Sequence, residues 1–104
     1  MEGQSVISQD VLARYAADAA REVDGVAGLA ESALHRGKGV ILSGDQMSPT
    51  VEVHVELEWG RSVTDVAREV QRRVAVYLER MANLTPASID VVVDAVGPPP
   101  SKRG

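Results

Sequence analysis

The residues best suited to metal chemistry lie in a strand-like stretch over 51–59. Glu52, His54 and Glu56 are spaced two residues apart, and side chains at that spacing share one face of a β-strand. Two carboxylates and an imidazole on one face could bind a divalent cation. The same alternation also gives any half-buried strand a polar, solvated face. We favour that second interpretation, and we expect no bound metal and no other cofactor.

A Gly-x-x-Gly sequence at Gly25–Gly28 has the spacing of the loop with which KH-type domains clamp an RNA backbone. A phosphate clamp needs donors and positive charge, whereas this sequence follows Glu22 and Asp24 and has apolar middle residues. The net charge of −4 also disfavours nucleic acid, because phosphates are neutralised by basic faces. We expect the end of a helix and a turn here. A small KH-like RNA-binding module stays open as the alternative function.

Five arginines accompany the second predicted helix and form the best candidate for a docking surface. They are Arg61, Arg68, Arg72, Arg73 and Arg80. Asp65 and Glu69 can pair with some of them at helical spacing, which is typical of a solvated helix face. The functional hypothesis is a docking surface for an acidic partner or for an anionic surface. Trp59 is the only tryptophan; we favour a cap over the core for its indole, with an interface anchor as the alternative.

Nothing in the sequence indicates a catalytic residue set. Ser, His and Asp occur, but no nucleophile elbow, phosphate loop or dinucleotide fingerprint surrounds them. The chain has no Cys, which excludes disulfides, thiolate zinc sites and Cys nucleophiles. The first ten residues do not form a secretory signal, and no segment approaches the roughly 20 apolar residues of a membrane span. We therefore expect a cytoplasmic protein without enzymatic activity.

Hydrophobic periodicity predicts the elements that position these residues. Apolar residues at helical spacing indicate two amphipathic helices, with Ser8 and Ser62 as their caps. Strict alternation or short Val- and Ile-rich runs indicate strands, although 26–34 is compatible with either a strand or an irregular segment. The predicted elements are, in order, a helix over 9–23, strands over 26–34, 40–42 and 51–59, a helix over 63–81 and a strand over 88–96.

This order predicts an α+β fold of two layers. Short turns between the first three strands favour antiparallel neighbours, while the last strand–helix–strand unit favours a parallel pair. We expect a mixed sheet of three to four strands with two helices on one face, in the order α-β-β-β-α-β. At 104 residues the chain suits a single domain. We place that domain at 6–96, between a flexible start at 1–5 and a disordered, Pro-rich tail at 97–104.

Two segments carry a resemblance to a known family: AAREVDGVAG over 19–28 and VELEWGRSVTDVAREVQRRV over 55–74. With IDVVVDAV over 89–96, their order and spacing resemble the bacterial alkaline shock proteins, also called envelope stress response proteins. The resemblance extends from about residue 6 to residue 96. The family usually has Tyr at the position of Trp59, and the exchange keeps an aromatic side chain.

The resemblance implies a small, cytoplasmic, non-enzymatic protein that acts as a scaffold or adaptor through protein–protein contacts. It also implies self-association and docking to a small membrane anchor protein, so that any membrane contact is indirect. The family supplies no catalytic or cofactor residues to carry over. The members differ in cellular role, so the resemblance does not identify the partner.

Overall fold

The computed structural model describes residues 7–30 and 39–99. Within these ranges the elements are α1 (Gln9–Arg21), β1 (Val26–Leu29), β2 (Val40–Gly44), β3 (Pro49–Leu57), α2 (Val63–Ala82) and β4 (Ser88–Val96). The predicted α-β-β-β-α-β order is confirmed. The flexible start predicted at 1–5, residues 31–34 of the second predicted element and the end of the predicted tail, 100–104, lie outside the described residues.

Both helices begin at a serine cap, as predicted. The Val11 N–H donates to Ser8 Oγ and the Asp65 N–H donates to Ser62 Oγ, each at 3.3 Å. These bonds satisfy N–H groups that have no partner within the helix. The helix α1 ends at Arg21, two residues before the predicted end. The next two N–H groups, of Glu22 and Val23, donate to carbonyls three residues back, as in a 3₁₀ turn.

The strand β3 is the centre of the sheet. One of its edges pairs in parallel with β4, from Thr50 opposite Ser88 to Leu57 opposite Val96. Its other edge is shared by two antiparallel partners, β2 beside Pro49–Val53 and β1 beside Val55–Leu57. The sheet is therefore mixed and has four strands. A line drawn across it meets only three of them, because β1 and β2 pair with different parts of the same edge of β3. This arrangement confirms the predicted fold class.

The apolar side of β3 forms the floor of the core. Its side chains at Val51, Val53, Val55 and Leu57 are at most 1% exposed, and each fully buried aliphatic side chain of this size contributes about 1.5–3 kcal/mol. The helix α2 covers them with a row of buried residues at helical spacing: Val66, Val70, Val74 and Leu78. The helix α1 contributes mainly buried alanines. Glu52, His54 and Glu56 alternate with the floor residues and so face away from the helices.

The strand β3 ends at Leu57, two residues earlier than predicted, and Trp59 lies in the turn that follows. The Glu58 N–H donates to the Gly25 carbonyl at 2.9 Å, and the register with β4 ends at Leu57. Gly60 then reverses the chain with a φ of 85°. Trp59 is consequently 56% exposed. The favoured prediction that its indole covers the core is wrong.

Candidate functional site

The end of the sheet at which β3 and β4 finish carries exposed apolar side chains, which we call the end patch: Trp59, Val63 and Val96. Their exposed fractions are 56%, 46% and 46%. Val96 is paired with Leu57, and the next residue, Gly97, donates its N–H to the Leu57 carbonyl at 2.7 Å. Val63 is the first residue of α2. The end of β4 and the β3–α2 turn therefore meet at one place, and Val63 follows Trp59 by four residues.

Arg61 secures the turn that presents Trp59. Its guanidinium donates to Asp24 at 2.7 Å and lies 3.7 Å from Glu58. The hydrogen bond from Arg61 and its positive charge lower the pKa of the Asp24 carboxyl, while the same hydrogen bond raises the pKa of Arg61. Because Asp24 lies between α1 and β1, this ion pair ties the turn to the other helix. Arg61 thus borders the end patch and also helps to hold its shape.

The other four predicted docking arginines lie along α2, in different surroundings. Arg72 and Arg73 both bind Glu69, with Nε to carboxylate distances of 3.1 Å, and the bond from Arg72 lowers the pKa of Glu69, with Arg73 adding to the effect. The pairing of Glu69 with arginines is confirmed. Arg73 and Arg80 line a shallow groove beside α1 with Tyr77. The spacing of Arg68 and Arg72 places both on the solvent side of α2. Their partner-binding role stays a prediction.

His54 lies between two carboxylates on the side of the sheet away from the helices. Its Nε2 is 2.6 Å from Glu52 on the same strand, and its Nδ1 is 3.0 Å from Asp94 on β4. Only an imidazolium can donate from both nitrogens. The hydrogen bond to Glu52 raises the pKa of His54, Asp94 raises it further, and partial burial opposes them. This arrangement is an ion-pair bridge between neighbouring strands.

The structure does not favour the other two sequence motifs as sites. Over residues 7–30 and 39–99, no group of three or more His, Asp or Glu side chains is placed to hold a metal ion. The Gly25–Gly28 sequence is not an open loop, because its last three residues belong to β1, in which Val26 and Gly28 pair with β3. Gly25 itself is buried and packs against Val66 and Arg61. An RNA backbone clamp is therefore not built here.

The arrangement of the end patch could not be found from local sequence. Val96 and Asp94 become neighbours of β3 only through the register of β4, which residues far apart in the chain determine. A weaker signal was present in Trp59, whose position just before Gly60 is compatible with a turn. In the described part of the chain, neither helix has the length and apolar character that a membrane crossing requires.

The sequence comparisons agree with the fold and the motifs. A family model for the alkaline shock protein 23 family, described as having a cell envelope-related function, matches residues 1–98. The chain belongs to this family. The resemblance found in the sequence is thereby confirmed. The chain is also 27% identical over 107 residues to the uncharacterized protein Spy1614 of Streptococcus pyogenes serotype M6, covering 91% of this chain and 88% of that protein.

The structural comparisons find the same fold in MamM-CTD. One solved structure of it covers 85% of this chain and 99% of its own, with a TM-score of 0.57 and 15% identity. A manganese form of MamM-CTD covers the same shares, with a TM-score of 0.56 and 16% identity. At this level of identity the likeness extends to the fold alone. Family membership and the end patch therefore carry the functional reasoning.

Proposed function

We propose that this alkaline shock family member is a non-catalytic scaffold or adaptor that acts in the cytoplasm, at the cell envelope, through protein–protein contacts. The observation that carries the proposal is the exposure of Trp59 beside Val63 and Val96. Tryptophan is enriched among the residues that dominate binding energy at interfaces. Grouped apolar side chains that stay exposed at one end of a sheet are typical of contact surfaces.

The contact surface extends from the end patch along α2. A stable interface buries about 1,200–2,000 Å² in total, which three apolar side chains do not supply. Arg68 and Arg72 lie on the solvent side of the same helix, and Arg73 and Arg80 continue along its groove side. A partner with an apolar anchor and acidic residues around it fits this combination. Self-association and docking to a small membrane anchor protein are the two forms of contact that the family likeness supports.

The test compares Trp59→Ser with Met47→Ser in sedimentation velocity over a dilution series. Met47 is 81% exposed in the turn between β2 and β3, at the opposite end of β3, so it is a matched control for loss of an exposed apolar side chain. We expect Trp59→Ser to shift the association to higher concentration and Met47→Ser to leave it unchanged. Assembly of the Trp59→Ser variant at the wild-type concentration contradicts the proposal.

In-cell crosslinking followed by affinity capture from the native host tests the anchor. We expect recovery of a small membrane protein by the wild type and reduced recovery by Arg68→Glu/Arg72→Glu. Glu79→Lys, on the solvent side of the same helix, controls for a general change of charge. Recovery of RNA that survives nuclease controls, without any protein partner, contradicts the adaptor proposal and favours the RNA-binding alternative.

A further inference from the structure

The strand β4 has one unoccupied edge within the described part of the chain. Eight of its nine residues lie in register with β3, Asp94 being skipped where the register shifts, and none of the described strands pairs with its other side. The unpaired N–H and C=O groups of such an edge are a template for another strand. Natural proteins use this property to bind extended peptide segments by main-chain hydrogen bonds.

The register identifies the groups that point outward. In β3, Leu57 bonds towards β4, because its carbonyl accepts the Gly97 N–H, whereas His54 bonds towards the opposite edge, to Gly39. Odd-numbered residues of β3 therefore face β4. In a parallel pair, a residue whose main-chain groups bond across to the neighbouring strand lies in register with a residue whose own main-chain groups point away from it. Ile89, Val91 and Val93 accordingly direct their main-chain groups away from β3.

A side-chain contact supports this assignment. The Gln71 Nε2 of α2 donates to the Ile89 carbonyl at 3.0 Å, which is reachable because that carbonyl faces away from β3. Gln71 thus occupies one position of the edge. The main-chain groups of Val91 and Val93 come next along the same edge, towards the end patch.

Side chains on the two sides of this edge have different chemistry. Ile89, Val91 and Val93 pack against the core on the helix side. On the other side, Asp90 lies in register with Glu52 and Val92 with His54, and Asp94 binds His54. A strand added here would set one row of its side chains beside aliphatic groups and the other row beside a stretch that carries two carboxylates. Opposite charges on neighbouring strands stabilise a sheet.

We propose that the outer edge of β4 binds an extended segment of a protein partner in which apolar residues alternate with Lys or Arg. This inference rests on the proposed function and specifies the partner's chemistry. The added strand runs alongside Val91 and Val93, in the direction of the end patch. A second copy of β4 is disfavoured, because the antiparallel register centred on Val92 sets Asp90 of one copy opposite Asp94 of the other. Like charges directly opposite each other destabilise the pair.

The test uses the full chain and synthetic peptides of alternating Val and Lys, with a Val–Glu peptide and a central-Pro Val–Lys peptide as controls. Amide hydrogen exchange by NMR is the readout. In the free protein we expect the Val91 and Val93 N–H groups to exchange faster than those of Asp90 and Val92. The Val–Lys peptide protects Val91 and Val93. The Val–Glu and proline peptides do not, since one repels the carboxylates and the other lacks an edge donor.

Charge reversal provides the matched variants. Asp90→Lys lowers the affinity for the Val–Lys peptide by roughly fivefold or more, since an attractive cross-strand pair becomes repulsive. The same variant raises the affinity for the Val–Glu peptide. Glu79→Lys makes the same change in net charge on α2 and leaves both affinities unchanged. Equal binding of the two peptides to the wild type overturns the inference, as does binding without protection of Val91 and Val93. Concentration-dependent protection of these amides in the free protein assigns the edge to a second copy and also overturns it.

The two proposals can fail separately. If Trp59→Ser assembles normally while the Val–Lys peptide still protects Val91 and Val93, the end patch has no role in assembly and the edge still binds its peptide. If Trp59→Ser loses association but the peptide gives no protection, the proposed function stands and the edge inference is wrong.

Discussion

Gly25→Ala gives the sharpest test of how the elements around the end patch are held together. Gly25 has a φ of 99°, and a Cβ built there would lie 2.8 Å from Val66 Cγ2 and 3.2 Å from Arg61 Nε. The backbone conformation alone costs a non-glycine residue about 1–2 kcal/mol. Overlap with a packed side chain adds about 1–3 kcal/mol.

The expected total loss is therefore about 2–5 kcal/mol, a large fraction of the roughly 5–15 kcal/mol that stabilises a typical domain. Gly60→Ala is the matched control, because Gly60 has a φ of 85° but has nothing within 4 Å of a built Cβ. We expect Gly60→Ala to show the backbone cost only. The difference between the two variants then measures the contact of residue 25 with Val66 and Arg61.

The assay is urea unfolding followed by circular dichroism, with the free energy of unfolding extrapolated to water. Gly28→Ala serves as a further reference, since a Cβ there has open space and the backbone is strand-like. Equal losses for Gly25→Ala and Gly60→Ala refute the packing argument. A Gly25→Ala variant of wild-type stability refutes the backbone argument as well, and would make a ligand-binding reason for that glycine worth testing.

Two further predictions concern the bridge and the core. The pKa of His54 is raised in the folded state, so its contribution to stability is fully present below its ordinary pKa of about 6.5 and is lost as the pH rises through the folded value. The midpoint temperature of thermal unfolding should fall over that pH window in the wild type relative to His54→Gln. If the two pH profiles are parallel, the bridge contributes nothing to stability. Leu78→Ala should lower the free energy of unfolding by about 2–5 kcal/mol, because Leu78 is fully buried. A loss below about 1 kcal/mol in urea titration would contradict the assigned core.

The sequence alone determined the elements and their order. Alternation in β3 and helical spacing in α2 are local patterns, because each element must turn one apolar side towards a core. The serine caps are equally local, since Ser8 and Ser62 bond to N–H groups three residues ahead in the chain. The polar side of β3 was predicted for the same reason, and so was the pairing of Glu69 with neighbouring arginines.

Only the tertiary structure decided which of these residues meet. The pairing of β4 with β3 brings Asp94 to His54 across 40 residues of chain, and it sets Val96 beside the turn that carries Trp59. The Arg61–Asp24 bond spans 37 residues and joins that turn to the end of α1. Such contacts depend on strand register and on the docking of α2 over the sheet, which are properties of the whole core.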